Sequence, residues 1–128
     1  MIGVTKEKIL IKEVFGFVGS SKAGAVVPFF GVVRDDDGIT GLHYECYPAM
    51  AEKILQSIAN ETKKRWSVQK VAIVHRYGWV PVGEASVVIA VSSAHRKEAF
   101  EACRFVIDTL KREAPIWKIE EGKHAACC

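Results

Sequence analysis

The distribution of apolar and polar positions predicts a chain built from strands and two long helices. The clearest segment runs from Ser92 to Lys118. Phe100, Cys103, Val106, Ile107, Leu110 and Ala114 recur at helical spacing and form an apolar face. Lys97, Glu101, Arg104, Asp108 and Lys111 recur at the same spacing as a polar stripe. Ser92 or Ser93 is the expected N-cap, because a short hydroxyl accepts from a free N–H of the first turn. Pro115 stops the helix, since the residue before a proline is pushed out of the α region. If Ile116 to Ile119 is extended, Lys118 points opposite to Trp117 and Ile119.

The remaining elements are read in the same way. Residues 6–12 alternate and are expected to be a first strand. Val14 to Val18 is a turn or short helix. Ala25 to Val33 is a continuous apolar run, best matched to a buried strand. Pro28 within it cannot donate to a ladder, which predicts an edge position or a bulge. Asp35 to Gly38 reads as a turn, and Leu42 to Tyr47 as a strand completing a β-hairpin with the one before. Pro48 opens a helix over about 49–66, with Met50, Ile54, Leu55, Ile58 and Thr62 on its core face. Val71 to Tyr77 and Ala85 to Ser92 read as strands, and Gly78 to Gly83 as the connection carrying Trp79 and Pro81. This order predicts an α+β fold, a mixed sheet with two long helices packed on it.

Composition narrows the function. The 128 residues suggest a single domain over 1–128, with about 122–128 as a short tail. A net charge of +3, without a basic run interleaved with aromatics, argues against nucleic acid. No apolar run approaches the roughly 20 residues that span a bilayer, so no membrane partner is expected. The N-terminus has no signal-peptide pattern, which makes the cytoplasm the default location. His43, His75, His95 and His124 lack zinc-ligand spacing, so no metal is expected. His75, within a strand, reads as structural. Cys46 and Cys103 fall in a strand and on the apolar helix face, where a reduced cysteine acts as a small hydrophobe. Cys127 and Cys128 end the chain and form no CxxC.

Several cations stand out from this background. His95 and Arg96 occupy the expected first turn of the last helix, where the dipole disfavours positive charge. A cation there fits a bound anion, held jointly by free N–H groups and the guanidinium. Arg34 sits between a buried strand and an acidic turn, a place where functional groups are displayed. Lys111 closes the polar stripe, and Lys118 follows beyond the proline. The plain alternative is that His95, Arg96, Lys111 and Lys118 are solvated surface charges, and that Arg34 simply pairs with Asp35 to Asp37, a contact worth little at a surface.

Several stretches in order carry a family resemblance. Ser93-Ala-His-Arg, Phe100-Glu-Ala, Ile107-Asp-Thr-Leu-Lys and Ala114-Pro-Ile-Trp-Lys resemble the catalytic large subunits of molybdopterin synthase. So do Gly24-Ala-Val-Val-Pro-Phe-Phe-Gly-Val-Val-Arg, Tyr44-Glu-Cys-Tyr-Pro-Ala-Met-Ala-Glu-Lys and Val71-Ala-Ile-Val-His-Arg-Tyr-Gly. The resemblance implies an α/β-hammerhead-type fold and a homodimer, joined by two small subunits into a heterotetramer. It implies conversion of cyclic pyranopterin monophosphate to molybdopterin by installing two sulfurs. The sulfur would come from the thiocarboxylated C-terminus of a small ubiquitin-like partner, with no cofactor. By resemblance Lys111 is the main catalytic residue and Lys118 its companion. Arg34, His95 and Arg96 would bind the substrate, and Val32, Val33, Ile119 and Glu120 would line the site through backbone contacts. The family commonly has asparagine after the arginine, where this chain has Asp35.

The residue types suit that chemistry. A phosphate needs cations and N–H donors, and opening a cyclic phosphate needs proton transfer, which a lysine with a lowered pKa can supply. Crowded cations create that condition, because a like charge disfavours the charged form. Two other readings stand beside this one, the first served by the same cations. One is a non-catalytic dimeric module that binds a small anion; the other is a sulfurtransferase that works through a cysteine.

Overall fold

The computed structural model describes residues 1–120 and 123–126. In chain order the elements are β1 (Ile2–Thr5), α1 (Ile11–Val18), β2 (Ala25–Val32), β3 (Gly41–Cys46), α2 (Pro48–Arg65) and β4 (Val68–Arg76). They continue with β5 (Gly78–Pro81), β6 (Ala85–Ser93), α3 (Arg96–Glu113), β7 (Ile116–Glu120) and β8 (Lys123–Ala126). The strands form two four-stranded sheets, ordered β1-β4-β6-β2 and β5-β3-β7-β8. The first is mixed, with β1 parallel to β4 and the other pairs antiparallel. The second is antiparallel throughout. The α+β class and the two long helices on a mixed sheet are as the periodicity predicts.

β6 explains the layering. Its residues after Ala85 are all buried, which requires cover on both faces. Val87, Ile89 and Val91 pack with Leu55 and Ile58 of α2 and with Val106 and Leu110 of α3. Val88 and Ala90, on the alternate face, pack with Val14 and Val18 of α1. Each fully buried Leu, Ile or Val contributes about 1.5–3 kcal/mol by leaving water, so this three-layer sandwich carries the core.

Several expectations are corrected. The first strand is not 6–12 but Ile2–Thr5. The Thr5 hydroxyl accepts from the Glu7 N–H and turns the chain, and Val14 and Val18, four apart, then bury as a helix. β2 and β3 do not form a hairpin, because they belong to different sheets. The β2 register shifts between Gly31 and Val32, and Val33 instead exchanges backbone hydrogen bonds with the Gly83–Glu84 turn. The chain then leaves the first sheet through the acidic turn, where Gly38 N–H donates to the Asp35 carboxylate. Asp37 and Gly38 both have positive φ there. Gly78 to Pro81 is a strand, paired to β3, rather than a plain connection. Gly41 is required opposite it, since a Cβ would lie 2.5 Å from the Trp79 ring.

Pro28 sits where its chemistry demands, on β2 at the sheet edge. Met50 and Phe100, assigned to apolar faces, are exposed. The buried stripes follow 51, 55, 58, 59 and 62 in α2 and 99, 102, 103, 106, 109 and 110 in α3, so both residues fall on a flank. The N-cap of α3 is His95, without a side-chain cap. Ser92 and Ser93 remain in β6, and the Ser93 hydroxyl donates to the His95 carbonyl. The helix stops at Glu113, just before Ala114 and Pro115.

Candidate functional site

The diversion of the chain at Val33 leaves an opening between the two sheets, a cavity of about 290 Å³. Gly31 and Val32 of β2, Val33 and Arg34 beyond it, and Ser86 of β6 form the wall on the side of the first sheet. Leu42 and Tyr44 of β3 and Lys118 of β7 form the wall from the second. Asp36 closes the rim. The Ser86 hydroxyl donates to the Gly31 carbonyl, fixing the wall where the ladder is irregular. Lys118 and Tyr44 are directly opposed across β3 and β7. Opposed residues of an antiparallel pair share a face, which is why both reach the cavity.

Arg34 is exposed, at 84% for its side chain, and its Nε donates to Asp36 Oδ2 at 3.0 Å. An exposed pair of this kind is worth about 1 kcal/mol or less. A phosphate, which accepts two parallel N–H bonds from a guanidinium, could therefore displace the carboxylate at little cost. Arg34, just beyond the first sheet, and half-buried Lys118, in the second, give the cavity two cations.

The expected site residues are divided by the fold. Val32, Val33, Arg34 and Lys118 come together at one cavity. Lys111 lies exposed in the last turn of α3 and is not part of the cavity lining. Ile119 opposes His43 and, being adjacent to Lys118, faces the other side of the second sheet. Glu120 ends β7, and its side chain lies outside the described residues. His95 and Arg96 are exposed at the start of α3 and do not reach the cavity.

Two rulers show how far away they are. From Arg96 to Lys111 the helix rises about 22 Å at 1.5 Å per residue. His95 follows Ser93, which pairs with Ala25 at one end of β2, whereas Val32 at the other end pairs with Ala85 beside the cavity. Seven strand steps at about 3.3 Å span roughly 23 Å. The crowding of Arg96 with Lys111 and Lys118 anticipated from sequence is absent within one chain.

Tyr44, Leu42, Ser86 and Asp36 line the cavity without having been singled out as site residues from the sequence. For Tyr44 the signal was its alternation with exposed His43 and Glu45, but its place opposite Lys118 depends on sheet pairing. His75 is buried within β4 and its Nδ1 lies 2.8 Å from the Arg76 carbonyl, in line with a structural role. Burial pushes the Cys103 thiol up to about 11. Burial, and then the Glu52 carboxylate, raises Cys46. Neither is a ready thiolate near neutral pH. Cys103 is buried and Cys46 only partly so; Cys127 and Cys128 lie outside the described residues. Among the described residues no three His, Cys, Asp or Glu cluster as metal ligands. No described helix is long and apolar enough to cross a membrane.

The fold and cavity define an α+β protein with a small cationic site in the seam between two sheets, suited to a phosphate-bearing ligand. The sequence pattern of the MoaE protein family matches residues 4–113. A molybdopterin synthase catalytic subunit from Thermoplasma volcanium is 46% identical over 120 residues, covering 91% of this chain and 88% of that one. The X-ray structure of molybdopterin synthase from Staphylococcus aureus superposes with a TM-score of 0.87 at 35% identity, over 99% of this chain and 96% of that one. A protein–protein complex of subunits 1 and 2 of molybdopterin-converting factor from Helicobacter pylori contains a chain with a TM-score of 0.79 at 25% identity, covering 97% of this chain and 88% of that one. The chain belongs to the MoaE protein family, that of the catalytic subunits of molybdopterin synthase.

Proposed function

We propose that this chain, acting as one domain in the cytoplasm, is the sulfur-transferring subunit of a molybdopterin synthase. It converts cyclic pyranopterin monophosphate to molybdopterin, taking two sulfurs from the thiocarboxylated C-terminus of a small ubiquitin-like partner. The observation that carries this reading is the meeting of Arg34, on the segment that leaves the first sheet, and Lys118, from the second sheet, at one cavity. The Helicobacter pylori complex of two converting-factor subunits supports a small partner for this chain too.

In this reading Arg34 holds the substrate phosphate and Lys118 supplies charge beside it, within walls that include the Val32 and Val33 backbone. Lys111 transfers protons as the cyclic phosphate opens and oxygen leaves. The Ile119 and Glu120 backbone completes the lining. His95 and Arg96 belong to the same site but reach it from the second protomer of a homodimer, because about 22 Å of helix separates Arg96 from Lys111 within one chain. A two-fold axis makes this reciprocal: each protomer lends its α3 start to the cavity of the other. Two small subunits complete a heterotetramer. The raised thiols of Cys46 and Cys103 favour sulfur arriving on the partner rather than on a cysteine of this chain.

The test is incubation of the protein with a thiocarboxylated small subunit and cyclic pyranopterin monophosphate, followed by assay for the dithiolene. Product is expected with both present. Substrate binding without product would convert the reading to a non-catalytic anion-binding module.

A further inference from the structure

The cavity has walls from two sheets, and among the described residues no strand pairing joins those sheets. The backbone links them through Tyr77, between β4 and β5, and through the Gly83–Glu84 turn bonded to Val33; elsewhere along the seam their spacing depends on side chains that bridge it. Tyr44 of β3, 3% exposed, lines the cavity on the Lys118 side. Behind it stands His75 of β4, fully buried, with the two rings in an edge contact at 5.7 Å and 67°. β4 belongs to the first sheet and β3 to the second. Along β4, Val71 and Ile73 pack toward α2 and α3, and His75 continues the same face.

His75 is anchored more firmly than an apolar side chain would be. Its Nδ1 lies 2.8 Å from the Arg76 carbonyl oxygen. A carbonyl only accepts, so Nδ1 carries the proton. Arg76 is in turn held by Glu84 at 2.7 Å, in a largely buried pair on the turn that also fixes Val33. The ring is thus tied to its own strand on one side and set against Tyr44 on the other.

We propose that Tyr44 and His75 form a positioning pair that sets the spacing of the two sheets at the cavity, and so places Lys118 opposite Arg34. The inference rests on reading the cavity as the substrate site. His75 acts through Tyr44, and Tyr44 through its direct strand partner Lys118.

The experiment uses Tyr44→Leu, His75→Leu and the double variant, each first shown to be folded by circular dichroism and thermal melting. Turnover is measured with the thiocarboxylated partner and cyclic pyranopterin monophosphate. In parallel, trace acetylation with acetic anhydride reads the reactivity of Lys118, with Lys64, exposed in the last turn of α2 and not part of the cavity lining, as an internal control. Each single variant should lose roughly 10- to 100-fold in turnover, the scale of a small misplacement of reacting groups. The double variant should lose no more than the worse single one, because one pathway is cut twice. Lys118 labelling should change in all three, with Lys64 unaltered. Additive losses, undiminished turnover, or unaltered Lys118 labelling each overturn the proposal. If the wild-type protein itself gives no dithiolene, the assigned reaction fails, and the labelling arm alone still decides the positioning pair. If His75→Leu does not fold, His75→Gln, which keeps a donor for the Arg76 carbonyl, takes its place.

Discussion

The proposed division of the site between two protomers makes a quantitative prediction. Arg96→Ala and Lys118→Ala each remove one cation, and each alone should nearly abolish turnover. Mixing the two variants by co-expression or by subunit exchange distinguishes the geometries. In a hybrid dimer with shared sites, one cavity carries both substitutions and the other carries none. Random pairing makes half the dimers hybrids with one intact site of two, so activity should return to about a quarter of wild type. If His95 and Arg96 served the cavity of their own chain, every site in every dimer would carry one substitution, and activity would stay at the level of the single variants. The prediction is fixed by the two spans of about 22 and 23 Å derived from helix rise and strand rise. A cavity of about 290 Å³ cannot bridge that separation. The assay is dithiolene formation at saturating partner, with the hybrid fraction measured by native mass spectrometry. Hybrids at the expected fraction, with activity no higher than the singles, would refute the shared site.

Other outcomes follow from particular residues. Lys111→Arg keeps the charge but not the proton transfer, because a guanidinium does not deprotonate near neutral pH; turnover should fall by roughly 10²-fold or more while substrate still binds by calorimetry, and the same change at Lys118 should be milder. Replacing all four cysteines by Ser or Ala should leave sulfur transfer from a preloaded partner largely intact, and loss of turnover in a folded variant would restore the cysteine mechanism. Glu84→Gln leaves the Arg76 guanidinium, whose Nε has no hydrogen-bond partner among the described residues, without its counter-charge; the pair is not fully buried, so the cost should be about 1–3 kcal/mol, read as a lowered urea midpoint at constant m. Cys103 has a folded pKa of about 11 against an ordinary value of 9.0. A thiol raised on folding adds stability that is fully present below pH 9.0 and is lost as pH rises through about 11. Cys103→Ala should therefore flatten that alkaline limb in pH-dependent urea melts.

The sequence by itself determined those elements whose burial is encoded locally. α2 and α3 announce themselves because an apolar stripe at 3.6-residue spacing has one packing solution. β6 shows as a strand through its unbroken apolar run, but the same kind of run misled for β2, read as buried: at the sheet edge only Gly31 of it is buried. Pro28 marks an edge because it has no N–H to give. The ordered motifs around Arg34, His95, Arg96, Lys111 and Lys118 likewise carried the family without any coordinates. What the sequence left open depends on long-range pairing. The strand over 6–12 failed because a short alternation is compatible with a turn and a helix start, and only the burial of Val14 and Val18 decides between them. The β2–β3 hairpin failed because adjacency in sequence does not say where a ladder ends; the register shift at Gly31 and Val32 sends the chain to another sheet. That same shift opens the cavity. Tyr44 meets Lys118 only through β3–β7 pairing, and His75 meets Tyr44 only where the two sheets come together. The separation of Arg96 from Lys111 was already implicit in the predicted helix, whose rise of 1.5 Å per residue holds the two about 22 Å apart; what only the tertiary structure adds is that Lys118 meets Arg34 at a cavity that Arg96 does not line.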